Sequence, residues 1–280
     1  MKKKKTARRP KPQPAPQHKA RLYPVESVQY LLLDSPDFIS IRLRRGEVWE
    51  KFTLQIAELL LHNVANPVVI DIGANLGAFS VPIGQLIKPF SGRLYAFEPQ
   101  RQVFYQLCGN LFANLLSNCY AYNIAIGNED TEVEIPVLDM AAEQNVGAMS
   151  LDENIRKQQN WHNSKFSEYE AVLVRTLDTL GLPAPDLIKI DVEGLELEVL
   201  EGGRNWLAAS GYPPVLYEVW GDYMAGMIEK REKLTHFVQH ELGYEIQLIG
   251  ELCIAQHPTR KKLTYQQGQD NNVMVSLISP

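Results

Sequence analysis

An α/β fold, with a mostly parallel, doubly wound sheet and helices on both faces, is the architecture this chain predicts. Three observations carry it. From about Pro67 onward, short apolar runs alternate with segments of helical spacing, the pattern of strand–helix–strand units. Two of those runs, Val68-Val69-Ile70 and Leu187-Ile188-Lys189-Ile190, lead into an aspartate and a glycine-bearing turn, where open α/β sheets build ligand sites. The length of 280 residues, with 45% hydrophobic and 22% charged, suits one large domain with an appendage.

Taken in order, residues 1–20 form a Lys- and Pro-rich tail with Pro10, Pro12, Pro14 and Pro16 at alternate positions. It has too little apolar surface to offset its ordering entropy and is predicted to be disordered. Up to Arg21 the chain holds nine Lys and Arg and no acid, leaving 19 bases against 33 acids in an acidic body. The tail suits contact with nucleic acid, an anionic membrane or another acidic surface; it equally suits a solubilising arm. Residues 21–65 read as an appendage. Its Phe38–Leu43 alternation predicts a strand, and apolar spacing from Glu50 to His62 predicts a helix.

Residues 66–280 are the main domain. Strands are expected at Val68–Ile70, Leu94–Phe97, Tyr120–Ile126, Glu132–Val137 (in a local hairpin), Ala171–Val174, Leu187–Ile190 and Val215–Val219, and the last two at Tyr244–Leu248 and Val273–Leu277. Helices are expected through Val103–Leu115, through Leu195–Leu200 up to Gly202-Gly203, and over His236–Leu242. Pro82 conflicts with a helix starting at Ala78 and favours a start near Ser80. The polar span Gln144–Glu170 reads as a loop or lid over the acceptor, with Trp161 as an aromatic face and His162 as a titratable group; the alternative is a plain surface excursion.

No apolar run reaches the roughly 20 residues of a membrane span, and no apolar stretch follows the charged start, so a cytoplasmic protein is expected. Cys108, Cys119 and Cys253 are widely spaced, without a CxxC pair, and read as reduced thiols rather than zinc ligands or a disulfide framework.

The chemistry concentrates in two motifs. In Val69-Ile70-Asp71-Ile72-Gly73-Ala74-Asn75-Leu76-Gly77 a strand enters a glycine turn and then a helix, which exposes backbone N–H groups to a ligand. A dinucleotide fingerprint needs glycine where Asn75 stands, and Asp71 would repel a pyrophosphate. Asp71 suits the ammonium of an amino-acid tail, which S-adenosylmethionine (SAM) carries without any phosphate. Glu98, 27 positions on and followed by Pro99, suits the two ribose hydroxyls; as the alternative it caps the next helix. In the second motif, Lys189, Asp191 and Glu193 gather at the tip of a strand, and Gly194 turns the chain into a helix. That grouping suits acid–base work or a cationic ligand, or, for Glu193 and Glu196, simple favour with the helix dipole.

These residues make the chain recognisable. Val69–Ser80 (VIDIGANLGAFS), Ala96-Phe97-Glu98-Pro99, Asn123–Gly127 (NIAIG), Val174–Leu180 (VRTLDTL) and Ile188–Gly203 (IKIDVEGLELEVLEGG) resemble the FkbM family of SAM-dependent methyltransferases over roughly Pro67–Trp220. The resemblance implies a Rossmann-like methyltransferase fold, SAM as methyl donor, and O-methylation of a hydroxyl on a sugar or secondary metabolite. It implies SAM contacts from Asp71, Gly73, Asn75 and Glu98, with Asn123 to Ala125 near the adenine. Ala74, Gly77, Pro99 and Asp191 complete the expected cofactor set.

A hydroxyl acceptor must lose its proton, and Asp191, Glu193 and Glu218 are the candidate bases, with His162 as an outsider. No metal is expected, since no ligand set beyond Asp191 and one neighbour is evident. Expected partners are a small-molecule or saccharide acceptor; self-association stays open. Two other readings remain. A nucleic-acid methyltransferase would explain the tail, but the acidic body repels phosphates, and the Ile-Asp-Val-Glu-Gly strand end is not the Asn/Asp-Pro-Pro-aromatic turn of amino-methylating enzymes. A non-catalytic SAM-fold scaffold would not need the intact Asp71, Gly73 and Glu98.

Overall fold

The computed structural model describes residues 19–140, 146–159, 166, 168–268 and 273–278. The basic tail up to residue 18, and Trp161 and His162 of the expected lid, lie outside the described residues.

The chain opens with a hairpin, β1 (Ala20–Val25) and β2 (Val28–Leu33), turned by Glu26 at φ 51°. Phe38–Leu43, expected as a strand, is instead in helix α1 (Phe38–Arg44). Asp37 caps it by accepting from Ser40 N at 2.8 Å, and the buried positions Ile39, Ser40 and Leu43 follow helical, not alternating, spacing. Next comes α2 (Lys51–Leu61), as expected.

The central sheet then forms: β3 (Val68–Ile72), α3 (Ser80–Ile87), β4 (Arg93–Phe97), α4 (Arg101–Ala113) and β5 (Cys119–Tyr122). Because α3 starts at Ser80, Pro82 sits in its first turn, where the missing N–H costs nothing. The expected strand Tyr120–Ile126 is broken at Asn123. Asn123 Nδ2 donates to the carbonyls of Glu98 (2.9 Å) and Pro99 (2.8 Å), and the chain leaves the main sheet there. Its continuation, β6 (Ala125–Ile126), joins β7 (Thr131–Pro136) and β8 (Tyr169–Arg175) in a separate three-stranded sheet ordered β6-β8-β7. Thus β7 pairs across the long excursion with β8, not in a local hairpin. The excursion itself carries α5 (Glu153–Gln158).

The second half supplies β9 (Leu187–Ile190), α6 (Glu196–Glu201), α7 (Arg204–Ala209), β10 (Val215–Glu218) and α8 (Ile228–His236), which runs on into a π-helical turn at Phe237–Glu241. After β11 (Glu245–Ile249) comes β12 (Leu252–Gln256), a strand the sequence reading passed over although all five residues are buried. Finally β13 (Leu263–Gln267) and β14 (Val273–Leu277) pair only with each other, so Val273–Leu277 is a strand but not one of the central sheet.

The seven-stranded order is β5-β4-β3-β9-β10-β12-β11, parallel except that β12 runs antiparallel to both neighbours. The order reverses beside β3, which opens the ligand crevice expected of doubly wound sheets. Strand alternation sorts the core into two layers. Val69, Leu94, Ala96, Leu187, Leu216 and Ile254 pack with α1–α4. Ile70, Ile72, Ile188, Ile190, Val215 and Tyr217 pack with α6–α8. Val25, Val28, Tyr30, Leu32, Leu43, Ile56 and Leu60 belong to the first layer, so residues 21–65 share the core of the main domain. Asn110 Oδ1 and Asn114 Oδ1 of α4 and its cap accept from Leu31 N (2.6 Å) and Gln29 N (2.9 Å), fastening β2 to α4.

Candidate active site

A cavity of about 710 Å³ opens at the carboxyl ends of β3, β4, β9 and β10, within the usual range for a small-molecule site. Its floor is the turn after β3. Gly73 (φ +79°), Asn75 (φ 49°) and Gly77 (φ +93°) all take left-handed backbone. At Gly73 the reason is also contact: a Cβ there would lie 1.8 Å from the carbonyl oxygen of Asp191. Only glycine lets the turns after β3 and β9 meet. The N–H groups of Gly73 and Ala74 both donate to Phe97 O at 3.0 Å, and Asp191 N donates to Ile72 O at 2.9 Å, so the three strand ends are laced together.

Glu98 stands at the end of the cavity bounded by Ile124, Ala125 and Ile126. Its Oε2 accepts from Asn75 N (2.9 Å) and its Oε1 from Gln100 N (2.8 Å). It therefore holds the glycine turn in shape, and each oxygen keeps a further lone pair. Burial pushes its pKa up to about 7, against the lowering effect of those two N–H donors.

The opposite end is acidic. Asp191 opens the turn after β9, Glu193 (φ 55°) lies within it, Glu218 ends β10, and Glu50 enters from the N-terminal side of α2. Carboxylate oxygens of Glu50, Asp191 and Glu218 lie within 4.8 Å of one another. Such a triangle attracts a cation, and buried Lys189 answers it, with Nζ 3.0 Å from Asp191 Oδ2 and 3.9 Å from Glu50 Oε2. Burial would lower the Lys189 pKa; the carboxylates of Asp191, Glu50 and Asp71 outweigh it and hold the ammonium well above its usual value. Glu218 is pushed up to about 8 by burial and by the charge of Asp191. Burial, then Asp191, raises Glu193 well above the carboxylate range. Glu196 points the other way: its Oε1 accepts from Val192 N (3.3 Å) and Gly194 N (3.2 Å) and braces the turn.

Of the site residues expected from sequence, Gly73, Asn75, Glu98, Pro99, Ala125, Asp191, Glu193 and Glu218 line this one cavity. Asp71, Ala74 and Gly77 are buried beneath its wall, and Asn123 acts on the backbone behind it. Asp71 is 0% exposed; its Oδ2 accepts from Ser80 Oγ at 2.5 Å, and Oδ1 has no hydrogen-bond partner among the described residues. The described part of the excursion roofs the site. Gly147 packs so closely on Asn75 that a Cβ would meet Asn75 Nδ2 at 1.9 Å, and Val146 is tied to Asp37 Oδ1 (3.3 Å) and Gln100 Nε2 (3.1 Å). Sequence reasoning missed Trp49 and Glu50 in the wall; a Trp-Glu pair ahead of an amphipathic helix carries no motif that would have flagged it.

Fold and cavity together define a doubly wound α/β protein with an acid-rich cavity at its strand ends. The Methyltransferase FkbM domain matches residues 71–241, more than half of the chain, and the chain belongs to that family of methyltransferases. It is similar to Methyltransferase 1 of Beauveria bassiana (strain ARSEF 2860), 28% identical over 172 residues covering 55% of this chain and 66% of that protein, just short of two thirds. Among solved structures it is similar to a methyltransferase FkbM from Methylobacillus flagellatus KT, at 18% identity, TM-score 0.44, and coverage of 70% of this chain and 44% of that one. It is also similar to a SAM-dependent O-methyltransferase from Thermotoga maritima, at 11% identity, TM-score 0.44, and coverage of 90% and 70%. Among the described residues no helix is long and apolar enough to cross a membrane.

Proposed function

We propose that the protein transfers the methyl group of SAM to a hydroxyl of a small molecule, a sugar or secondary metabolite. The observation that carries this reading is the division of one cavity into two ends. At one end Glu98 offers spare acceptor capacity beside the apolar wall of Ile124–Ile126, which suits a ribose and a base. At the other, Asp191, Glu193 and Glu218 suit the positive charge of a sulfonium and the removal of a hydroxyl proton. Bound SAM would supply a methyl group already activated for displacement. The chain's task is then to align the acceptor oxygen, exclude water and take one proton.

Glu218 is the best placed base. Asp191 is held in an ion pair with Lys189, whereas Glu218 faces the cavity with a pKa near the working pH, where it both accepts and releases a proton readily. With SAM supplying the methyl group, Glu218 would take the proton that the acceptor hydroxyl gives up and pass it to solvent. Methyl-labelled SAM, offered with a panel of sugars, phenols, amines and RNA, tests the reading. Label recovered in an ether linkage on a small molecule supports it. Label found only on nitrogen or on RNA overturns it.

A further inference from the structure

The sequence points to Asp71 as the partner of SAM's ammonium, yet Asp71 is fully buried and does not line the cavity, its Oδ2 accepting from Ser80 and its Oδ1 without a partner among the described residues. Another carboxylate reaches the cavity at that end of the turn. Glu50 lies in the N-terminal unit, outside the segment that matches the family. Its backbone is left-handed (φ 45°, ψ 43°), as it is at Asn75 and Glu193 elsewhere in the cavity lining. Trp49 Nε1 donates to Glu50 Oε1 at 2.8 Å and orients the carboxylate, while Oε2 faces Lys189 only at 3.9 Å. Glu50, Asp191, Glu193 and Glu218 thus crowd one end of the cavity, with Lys189 as the cation paired among them. Fully ionised, they would carry more negative charge than one ammonium balances, and burial beside one another holds protons on Glu50, Glu193 and Glu218 instead, protons that a further cation in the cavity would displace. SAM brings two positive centres, a sulfonium and an ammonium.

On the reading of the cavity as a SAM site, we propose that Glu50 binds the ammonium of SAM's methionyl tail, so that the N-terminal unit completes the cofactor pocket. Burial first, and then the charge of Asp191, raises the Glu50 pKa against the pull of Lys189, as expected for a carboxylate awaiting a further cation. The glycine turn supplies the floor and Glu98 the ribose end; Glu50 supplies the tail end.

Calorimetry on the full chain, in EDTA so that no divalent ion fills the carboxylate triangle, tests this with two ligands. SAM carries the amino-acid tail and 5′-methylthioadenosine lacks it. Glu50→Gln, which keeps the shape and the acceptor for Trp49, is expected to weaken SAM at least tenfold and to leave methylthioadenosine unchanged. Glu98→Ala is expected to weaken both. Wild-type SAM affinity in a folded Glu50→Gln variant overturns the proposal, and so does equal weakening of both ligands, which would make Glu50 a support of pocket shape. Failure of the wild-type chain to bind either ligand, or no effect of Glu98→Ala, overturns the SAM reading beneath it.

Discussion

Gly73→Ala probes the contact on which the site is built. The added methyl meets two separate penalties. At φ +79° an L side chain costs roughly 1–2 kcal/mol. The new Cβ would also lie 1.8 Å from Asp191 O, where real contacts begin near 3.0 Å, so the turns after β3 and β9 must part by about 1.2 Å. Both are backbone, and overpacking of this kind costs typically ~1–3 kcal/mol. The expected loss is about 2–5 kcal/mol. Gly181→Ala is the control, since Gly181 has φ +62° but nothing within 4 Å of its Cβ position, and it should pay the first penalty alone. Urea unfolding of both variants reads the difference. Because the displaced atom belongs to Asp191, SAM affinity should also fall, by on the order of tenfold or more, in Gly73→Ala alone. Equal destabilisation of the two variants, or intact SAM binding in Gly73→Ala, would refute the close approach of the two turns.

Leu32→Ala, at a fully buried position in the hairpin, should cost about 2–5 kcal/mol in urea unfolding; a loss below about 1 kcal/mol would mean that the hairpin does not share the core. Glu218→Gln should cut methyl transfer by on the order of 10²–10⁴ while SAM binding, read by calorimetry, persists; unchanged turnover would move the base to Asp191 or Glu193. Glu98, Glu196 and Glu218 have folded pKa values raised to about 7, 7 and 8, so the stability they favour is full below their ordinary values and is lost as pH rises through 7–8. Melting temperature of the ligand-free chain should therefore fall from pH 5 to pH 8. SAM affinity should rise from pH 6 to 7.5, because a cation favours the ionised carboxylates; a flat profile would contradict it. Deleting residues 2–18 should leave SAM affinity and melting temperature nearly unchanged, as expected of a tail with so little apolar content; a large drop in melting temperature would count against that expectation.

The legible parts of this chain were those where a local pattern has a single structural meaning. Val68–Ile72 and Leu187–Ile190 are largely apolar on both faces because helices cover both faces; β9 runs out into Asp191 at the cavity, while Asp71 stays buried within β3. The glycine turn and Glu98 were readable because backbone conformation and charge at a strand end are local properties. Elsewhere local patterns had two meanings. Ile39, Ile41 and Leu43 alternate like a strand, but Asp37 in front of them is a helix cap, and the cap decides. Ile228–His236 is so polar that its helical period barely shows; Leu234 is its single residue counted as buried. Gly250-Glu251 before β12 was a hairpin signal passed over. Glu50 was beyond local reading altogether, since only the packing of α2 against α3 and β9 brings it to Lys189 and Asp191.

The shared core also bears on how such a protein can be taken apart or recombined. The family match opens at Asp71, the fourth residue of β3, whereas the core layer packed with α1–α4 reaches back to Val25. A graft cut at the family boundary would divide a strand and strip that layer of the hairpin, α1 and α2, removing Trp49 and Glu50 from the cavity wall in the same stroke. The fold and the cavity wall are therefore not separable modules here. An exchange of this N-terminal segment would alter both at once, and a chimera that keeps its stability must carry across the partners of β2 on α4 as well.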